Sequence, residues 1–278
     1  MGISMQFRMT LVQMPCIEGK RDENYKWARG LLKDHHGEGD LEYILFPELF
    51  DIGFRKEDYS SEGVGVPGPT SEFLMSIAEE FSSYVIGTGI EASNGKYFNT
   101  LVVTTPEGKI LGTYRKIHPF QEEREFFEGG TVLAMLEIRG MKVGVQICYD
   151  LRFPEVSRRL ALEGAELLLI PAAFPDPRSA HWDTLVMARA IENQLYVAAT
   201  NRVGFAFDGK TYFGHSQLID PWGVRLTRIN SAEQVFTSLA DTEMIRTARS
   251  QITCYADRPE QGYGNVQWFR DYGNTTIK

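Results

Sequence analysis

Residues 141–155, Met-Lys-Val-Gly-Val-Gln-Ile-Cys-Tyr-Asp-Leu-Arg-Phe-Pro-Glu, constrain this chain more tightly than any other stretch. Residues 142–147 are apolar and β-branched enough to form a buried strand. Pro154, Glu155, Val156, Arg159, Leu160 and Leu162 then follow helical spacing, so strand passes to helix within a few residues, as in the α/β class. Cys148 falls in the turn between them. A nucleophile in such a turn projects from the end of a sheet, beside backbone N–H groups that can hold an oxyanion. Free cysteine is also among the most buried residue types. This stretch alone leaves a structural thiol and a nucleophile both open.

The rest of the chain supplies the surroundings. Residues 7–14 alternate apolar and polar and open a sheet, and residues 22–33 have helical spacing. Residues 41–46 form a short buried strand, which Pro47 stops by removing a ladder donor, leaving Glu48 at its end. Thr70 reads as the N-cap of a helix whose buried face is Phe73, Leu74, Ile77 and Ala78. Residues 84–90 are the next strand, and 98–104 with 110–114 form a hairpin that ends at Lys116. By composition, the charged stretch 121–130 is a solvated loop. Past Cys148, strands are expected over 165–171, 195–200 and 235–239, with a hairpin over 217–227. A helix over 178–193 should place Leu185, Val186, Ala188 and Ile191 mostly in the core, and Asp241 should cap a short helix. Residues 258–278 are polar, Gly-rich and aromatic without periodicity. No repeat or composition break divides the chain, so one domain is expected over 1–278, with its core over about 5–255.

Glu48, Lys116 and Cys148 therefore share one address, the ends of three strands, where reacting groups collect in α/β sheets. Their chemistry fits together. A thiol of pKa about 8.5 is only slightly ionised at neutral pH. A carboxylate can take its proton, and an ammonium can stabilise first the thiolate and then an oxyanion.

Composition narrows the partners. A net charge of −8 argues against nucleic acid or an anionic membrane. No apolar run approaches the roughly 20 residues of a membrane helix, and the first residues lack the pattern of a secretory signal. Cys16, Cys148 and Cys254 are odd in number and far apart, which suits a reducing cytoplasm. Neither Cys-x-x-Cys nor His-Glu-x-x-His occurs, so no metal is expected. The glycines at 87–95 ahead of Lys96 do not match a phosphate loop, because their spacing is one residue too long and no Ser or Thr follows.

Three segments together resemble the nitrilase superfamily of carbon–nitrogen hydrolases: Phe46-Pro47-Glu48, Tyr114-Arg115-Lys116-Ile117-His118 and residues 146–155. Their order, spacing and flanking residues agree over nearly the whole chain. The resemblance implies a four-layer αββα sandwich and an amidase with catalytic residues Glu48, Lys116 and Cys148. It implies a second glutamate after the lysine. The stretch 123–129 matches that pattern with Arg124 in place of lysine, which points to Glu123 among its neighbours Glu122, Glu125 and Glu128. The Tyr149 N–H would share the oxyanion with Lys116, and Arg152 would either pair with a substrate carboxylate or hold its helix in place. No cofactor is implied, and dimers pairing the helices after Cys148 and around 180–193 are. Cys148-Tyr149-Asp150 looks like the amidase branches rather than true nitrilases. Together with residues 178–182 and 189–194 it most resembles bacterial omega-amidase-type proteins, which cleave the terminal amide of 2-oxoglutaramate-like monoamides. Hydrolysis of N-carbamoyl amines or aliphatic amides is the alternative. Two other readings stand beside it: a papain-like thiol paired with His118, His181 or His215, and a binding subunit that keeps the fold without catalysis.

Overall fold

The computed structural model describes residues 5–35, 42–62 and 66–259, together with 262 and 267. Gly37-Glu38-Gly39, whose glycines would end the helix expected over 22–33, and most of the 258–278 tail lie outside the described residues. The first half runs β1 (Gln6–Gln13), α1 (Arg21–His35), β2 (Tyr43–Leu45), α2 (Lys56–Glu62), α3 (Pro69–Phe81), β3 (Tyr84–Ser93), β4 (Lys96–Thr104) and β5 (Ile110–Arg115). The second half starts with β6 (Met135–Ile138), β7 (Met141–Val145), α4 (Pro154–Leu162), β8 (Leu167–Ala172), α5 (Ser179–Asn193) and β9 (Tyr196–Asn201). A small hairpin of β10 (Val203–Phe205) and β11 (Thr211–Phe213) precedes β12 (Gln217–Ile219). The chain then returns through β13 (Gln234–Asp241) to α6 (Glu243–Gln251).

Two mixed sheets result. The first is ordered β13-β1-β2-β3-β4-β5 and the second β12-β9-β8-β7-β6. In each, three central strands are parallel and the outer pairings are antiparallel. Parallel neighbours need a crossover. Helix α1 supplies it between β1 and β2, α3 between β2 and β3, α4 between β7 and β8, and α5 between β8 and β9.

Strand periodicity decides which side chain meets which layer. On β1 and β2, Phe7, Met9, Leu11, Tyr43 and Leu45 join one core with Val143, Val145, Leu167, Leu169 and Tyr196 of the second sheet. The rings of Phe7 and Tyr196 meet edge to face, with centroids 5.4 Å apart. The alternate residues Ile44 and Phe46 turn the other way, into a cluster with Ala28 and Leu32 of α1 and Phe73, Leu74 and Ile77 of α3. On the far side α4 lies close against β7. A Cβ at Gly144 would come within 2.8 Å of Leu168 and 3.1 Å of Leu160, so a larger residue would have to push these leucine side chains aside.

Two local expectations are corrected. The helix expected at Thr70 begins at Pro69 with Gly68 as its N-cap, and Ser71 bonds back to that glycine. Thr70 instead turns inward and donates its hydroxyl to Asp51 at 2.7 Å. On α5, Ile191 is 49% exposed. The buried face is Trp182, Val186, Arg189, Ala190 and Asn193. Arg189 can lie there because its guanidinium donates to the Leu151 carbonyl at 2.8 and 3.1 Å, which ties α5 to the turn after Cys148. Asp241 does serve the last helix, accepting the N–H of Glu243 at 2.8 Å.

Candidate active site

The ends of β2, β5, β7 and β8 converge at one edge of the paired sheets. Glu48 crosses between them: its N–H donates to the Ala172 carbonyl at 3.3 Å, and the Thr200 hydroxyl reaches back to the Phe46 carbonyl at 3.1 Å. Glu48 is buried, and three donors fix its carboxylate. Oε1 accepts from Lys116 Nζ at 2.6 Å and Asn99 Nδ2 at 2.8 Å, and Oε2 accepts from the Ala173 N–H at 3.1 Å. The following residue, Leu49, has a left-handed backbone (φ 44°) and is pinned by the Thr88 hydroxyl at 2.6 Å.

Lys116 is 1% exposed and bridges two carboxylates. Its Nζ lies 2.6 Å from Glu48 and 2.8 Å from Glu123. Burial alone would lower its pKa, but Glu123 and Glu48 outweigh that and hold it well above the ordinary lysine range. Of the four neighbouring glutamates, Glu123 is the one that reaches Lys116; Glu125 pairs with Lys56 and Glu128 with Lys96. Burial pushes the Glu123 carboxyl up to about 7, against the pull of Lys116 and with added repulsion from Glu48. The stretch read as a solvated loop has anchors of its own. Gln121–Glu125 form a 3₁₀ turn, and Phe126 and Phe127 close on the buried ring of Tyr59 at 5.3 and 4.9 Å.

Cys148 begins a second 3₁₀ turn, Cys148–Arg152, between β7 and α4. Its φ of 45° is a left-handed conformation that non-glycine residues rarely adopt, and such strain is found where a nucleophile is held at a sharp strand-to-helix turn. The thiol is 7% exposed. Burial pushes its pKa well above the ordinary range, Glu48 and Glu123 adding to the effect and Lys116 opposing it. At neutral pH the sulfur therefore rests as the thiol, and a thiol needs a base before it can act as a nucleophile. The neighbouring Glu48 carboxylate can take such a proton. The Tyr149 N–H, second in the turn, has no acceptor within it, because the first N–H groups of a helix are left unpaired.

Asp150 locks the turn. Its Oδ2 accepts from Ile147 N–H at 3.0 Å and Tyr114 O–H at 2.8 Å, and its Oδ1 from His118 N–H at 3.1 Å, with His118 Nδ1 at 2.8 Å. The three histidines weighed as bases are thus engaged elsewhere: His118 with Asp150, His215 with Asp183 at 3.0 Å, and His181 beside Arg152 at 3.4 Å. None of them bonds Cys148 among the described residues.

A cavity of roughly 390 Å³ opens over this cluster, with Glu123 and Ala173 in its wall beside Tyr59, Phe120, Arg178 and Tyr212. Arg152 does not line it. Its guanidinium lies over the Phe174 ring, 4.9 Å from the centroid. Sequence reasoning gave no site role to Asn99, Ala173, Tyr59, Arg178 or Tyr212, although Arg178 opens the segment 178–182 that entered the family resemblance. Asn99 left a signal as well, being a residue type depleted from strands inside the expected strand 98–104.

Two sheets flanked by helices, with a thiol, two carboxylates and a lysine at their common edge, define a hydrolase of the carbon–nitrogen type. The carbon–nitrogen hydrolase family model matches residues 8–250, and the chain belongs to that family; it is an amidase. It is 33% identical over 269 residues to the omega-amidase NIT2 of Danio rerio, covering 93% of this chain and 96% of the relative. It is 31% identical over 256 residues to the 2-oxoglutaramate amidase of Bacillus subtilis, covering 91% and 98%. Among solved structures, a CN-hydrolase superfamily protein from Xanthomonas campestris superposes with a TM-score of 0.85 at 29% identity, covering 95% of this chain and all of the other. That protein carries an arsenic adduct in its active site.

Proposed function

We propose that this chain is an omega-amidase, cleaving the terminal amide of 2-oxoglutaramate-like monoamides through a thioester on Cys148. The observation that carries the reading is the buried Glu48–Lys116–Glu123 array beside a protonated thiol. Near-full-length identity to omega-amidases supports the substrate class.

In the first half-reaction Glu48 takes the thiol proton and sulfur attacks the amide carbon. Lys116 and the Tyr149 N–H hold the resulting oxyanion. Collapse breaks the C–N bond; Glu48 returns the proton to nitrogen, and ammonia leaves an acyl thioester. Glu48 then deprotonates water, whose attack releases the carboxylic acid and restores the thiol. Glu123 positions Lys116. The chemistry needs no cofactor. Three free cysteines support a reducing, cytoplasmic compartment. Among the described residues no helix is long and apolar enough to cross a membrane. The exposed apolar side chains of Leu162, Ile191 and Trp222 support pairing of two copies through α4 and α5. Ile191→Glu should then sediment as a monomer where the parent sediments as a dimer.

Ammonia release across omega-amides, N-carbamoyl amines, aliphatic amides and nitriles tests the substrate class. The highest kcat/KM is expected on 2-oxo dicarboxylic monoamides. Preference for a carbamoyl amine or a neutral amide would overturn it.

A further inference from the structure

Three cations line the cavity, and two of them already have carboxylate partners: Lys56 lies 2.5 Å from Glu125 and Lys210 2.6 Å from Asp208. The third, Arg178, has no carboxylate partner among the described residues. Its guanidinium stands over the Phe120 ring, 5.7 Å from the centroid. Its backbone is nonetheless fixed. The Arg178 N–H donates to the Pro175 carbonyl at 3.3 Å, and the Arg178 carbonyl accepts from the Trp182 N–H at 3.0 Å. Pro175 bridges to Tyr212, and Asp176 exchanges bonds with Thr211 at 2.9 and 3.0 Å, so the loop is tied to the β10–β11 hairpin. The same loop carries Ala173, whose N–H holds the Glu48 carboxylate.

We propose that Arg178 is the specificity determinant of this cavity, pairing with a carboxylate at the end of a linear amide remote from the bond that is cleaved. The inference rests on the amidase reading of the same site. A guanidinium fork matches both oxygens of a carboxylate, which an ammonium cannot reproduce. A guanidinium already seated over a ring, on a fixed backbone, loses less freedom when a ligand binds. Phe54, Phe120, Phe126 and Phe207 give the cavity apolar walls, and such walls strengthen a charged hydrogen bond inside. This moves carboxylate recognition away from Arg152, which lies against Phe174 and beside His181.

The experiment compares Arg178→Gln, Arg178→Lys and Arg152→Gln with the parent, on a dicarboxylic monoamide and on a neutral amide of equal length. Circular dichroism and melting establish that each variant is folded. Arg178→Gln should lose roughly 10- to 150-fold in kcat/KM on the acidic amide, mainly through KM, the worth of hydrogen bonds to a charged group. On the neutral amide it should stay within about threefold, the range of ordinary context effects. Arg178→Lys should recover only part of the loss. Equal losses on both amides, or a selective loss in Arg152→Gln instead, would overturn the proposal. Calorimetric binding of the acidic amide to Cys148→Ala, with and without Arg178→Gln, separates this proposal from the amidase reading. Binding that depends on Arg178, without turnover by the parent, would sink the amidase reading and leave the clamp standing. Turnover by the parent, with no effect of Arg178→Gln on either readout, would do the reverse.

Discussion

Lys116 holds one positive charge between two buried carboxylates, and its removal should be felt in two ways. Losing an oxyanion donor typically costs about 10²–10³ in turnover, so Lys116→Met should fall by at least that much. It should also destabilise the fold by about 3–5 kcal/mol, because Glu48 and Glu123 would be left buried without a counter-charge. Denaturant melts and single-turnover rates check both, and activity within a few-fold of the parent would contradict the oxyanion role. Glu123 makes a pH prediction. Its carboxyl rises from 4.5 in the unfolded chain to about 7 in the folded one. Between those values the folded state binds the extra proton, so this group's contribution to stability is greatest below about 4.5 and is lost as pH rises to about 7. Glu123→Gln should flatten that part of the stability curve. A difference curve that instead climbs with pH would mean that ion pairing with Lys116 outweighs burial.

The strand–turn–helix around Cys148 is the element on which the site depends, and Asp150 holds it in shape. Asp150→Asn keeps the volume but places an amide NH₂ among three groups that donate, the Ile147 and His118 N–H groups and the Tyr114 hydroxyl. A buried polar group left in conflict costs about 1–3 kcal/mol, more where a charge is removed. We expect the melting temperature to fall and the alkylation rate of Cys148 to change; a variant that matches the parent in both would show the turn is held by other contacts. Much of this element was legible in the sequence, because strand periodicity, Pro47 and Pro154 mark where each reactive residue leaves its strand. Glu123 was harder to read. Four glutamates crowd the same loop, and the aromatic anchoring by Tyr59 beside the one that reaches Lys116 comes from a distant segment. Asn99 and the Ala173 N–H were hidden for the same reason. Their partner, Glu48, is far away in the chain. Thr70 misled because N-cap chemistry is local, while the Asp51 that captures its hydroxyl is brought in by the fold.

At the scale of the molecule, the two sheets repeat one plan, three parallel strands with antiparallel edges, and the site exists only where they are joined. Glu48 and Asn99 come from the first sheet and Cys148 and Ala173 from the second, so neither half holds a complete set of groups. The other two thiols are placed differently. Cys16 is buried and held above the ordinary range mainly by that burial, and Cys254 rests 3.1 Å from Gln194 Oε1. The central claim, a thioester on Cys148, is therefore open to one direct measurement. The enzyme is mixed with an amide substrate and quenched in acid, and the intact mass is read, followed by peptide mapping. The account predicts a gain equal to one acyl group, located on Cys148 and absent from Cys148→Ala, which remains folded and inactive. An acyl group on Cys16 or Cys254, or turnover by Cys148→Ala at the parental rate, would contradict it.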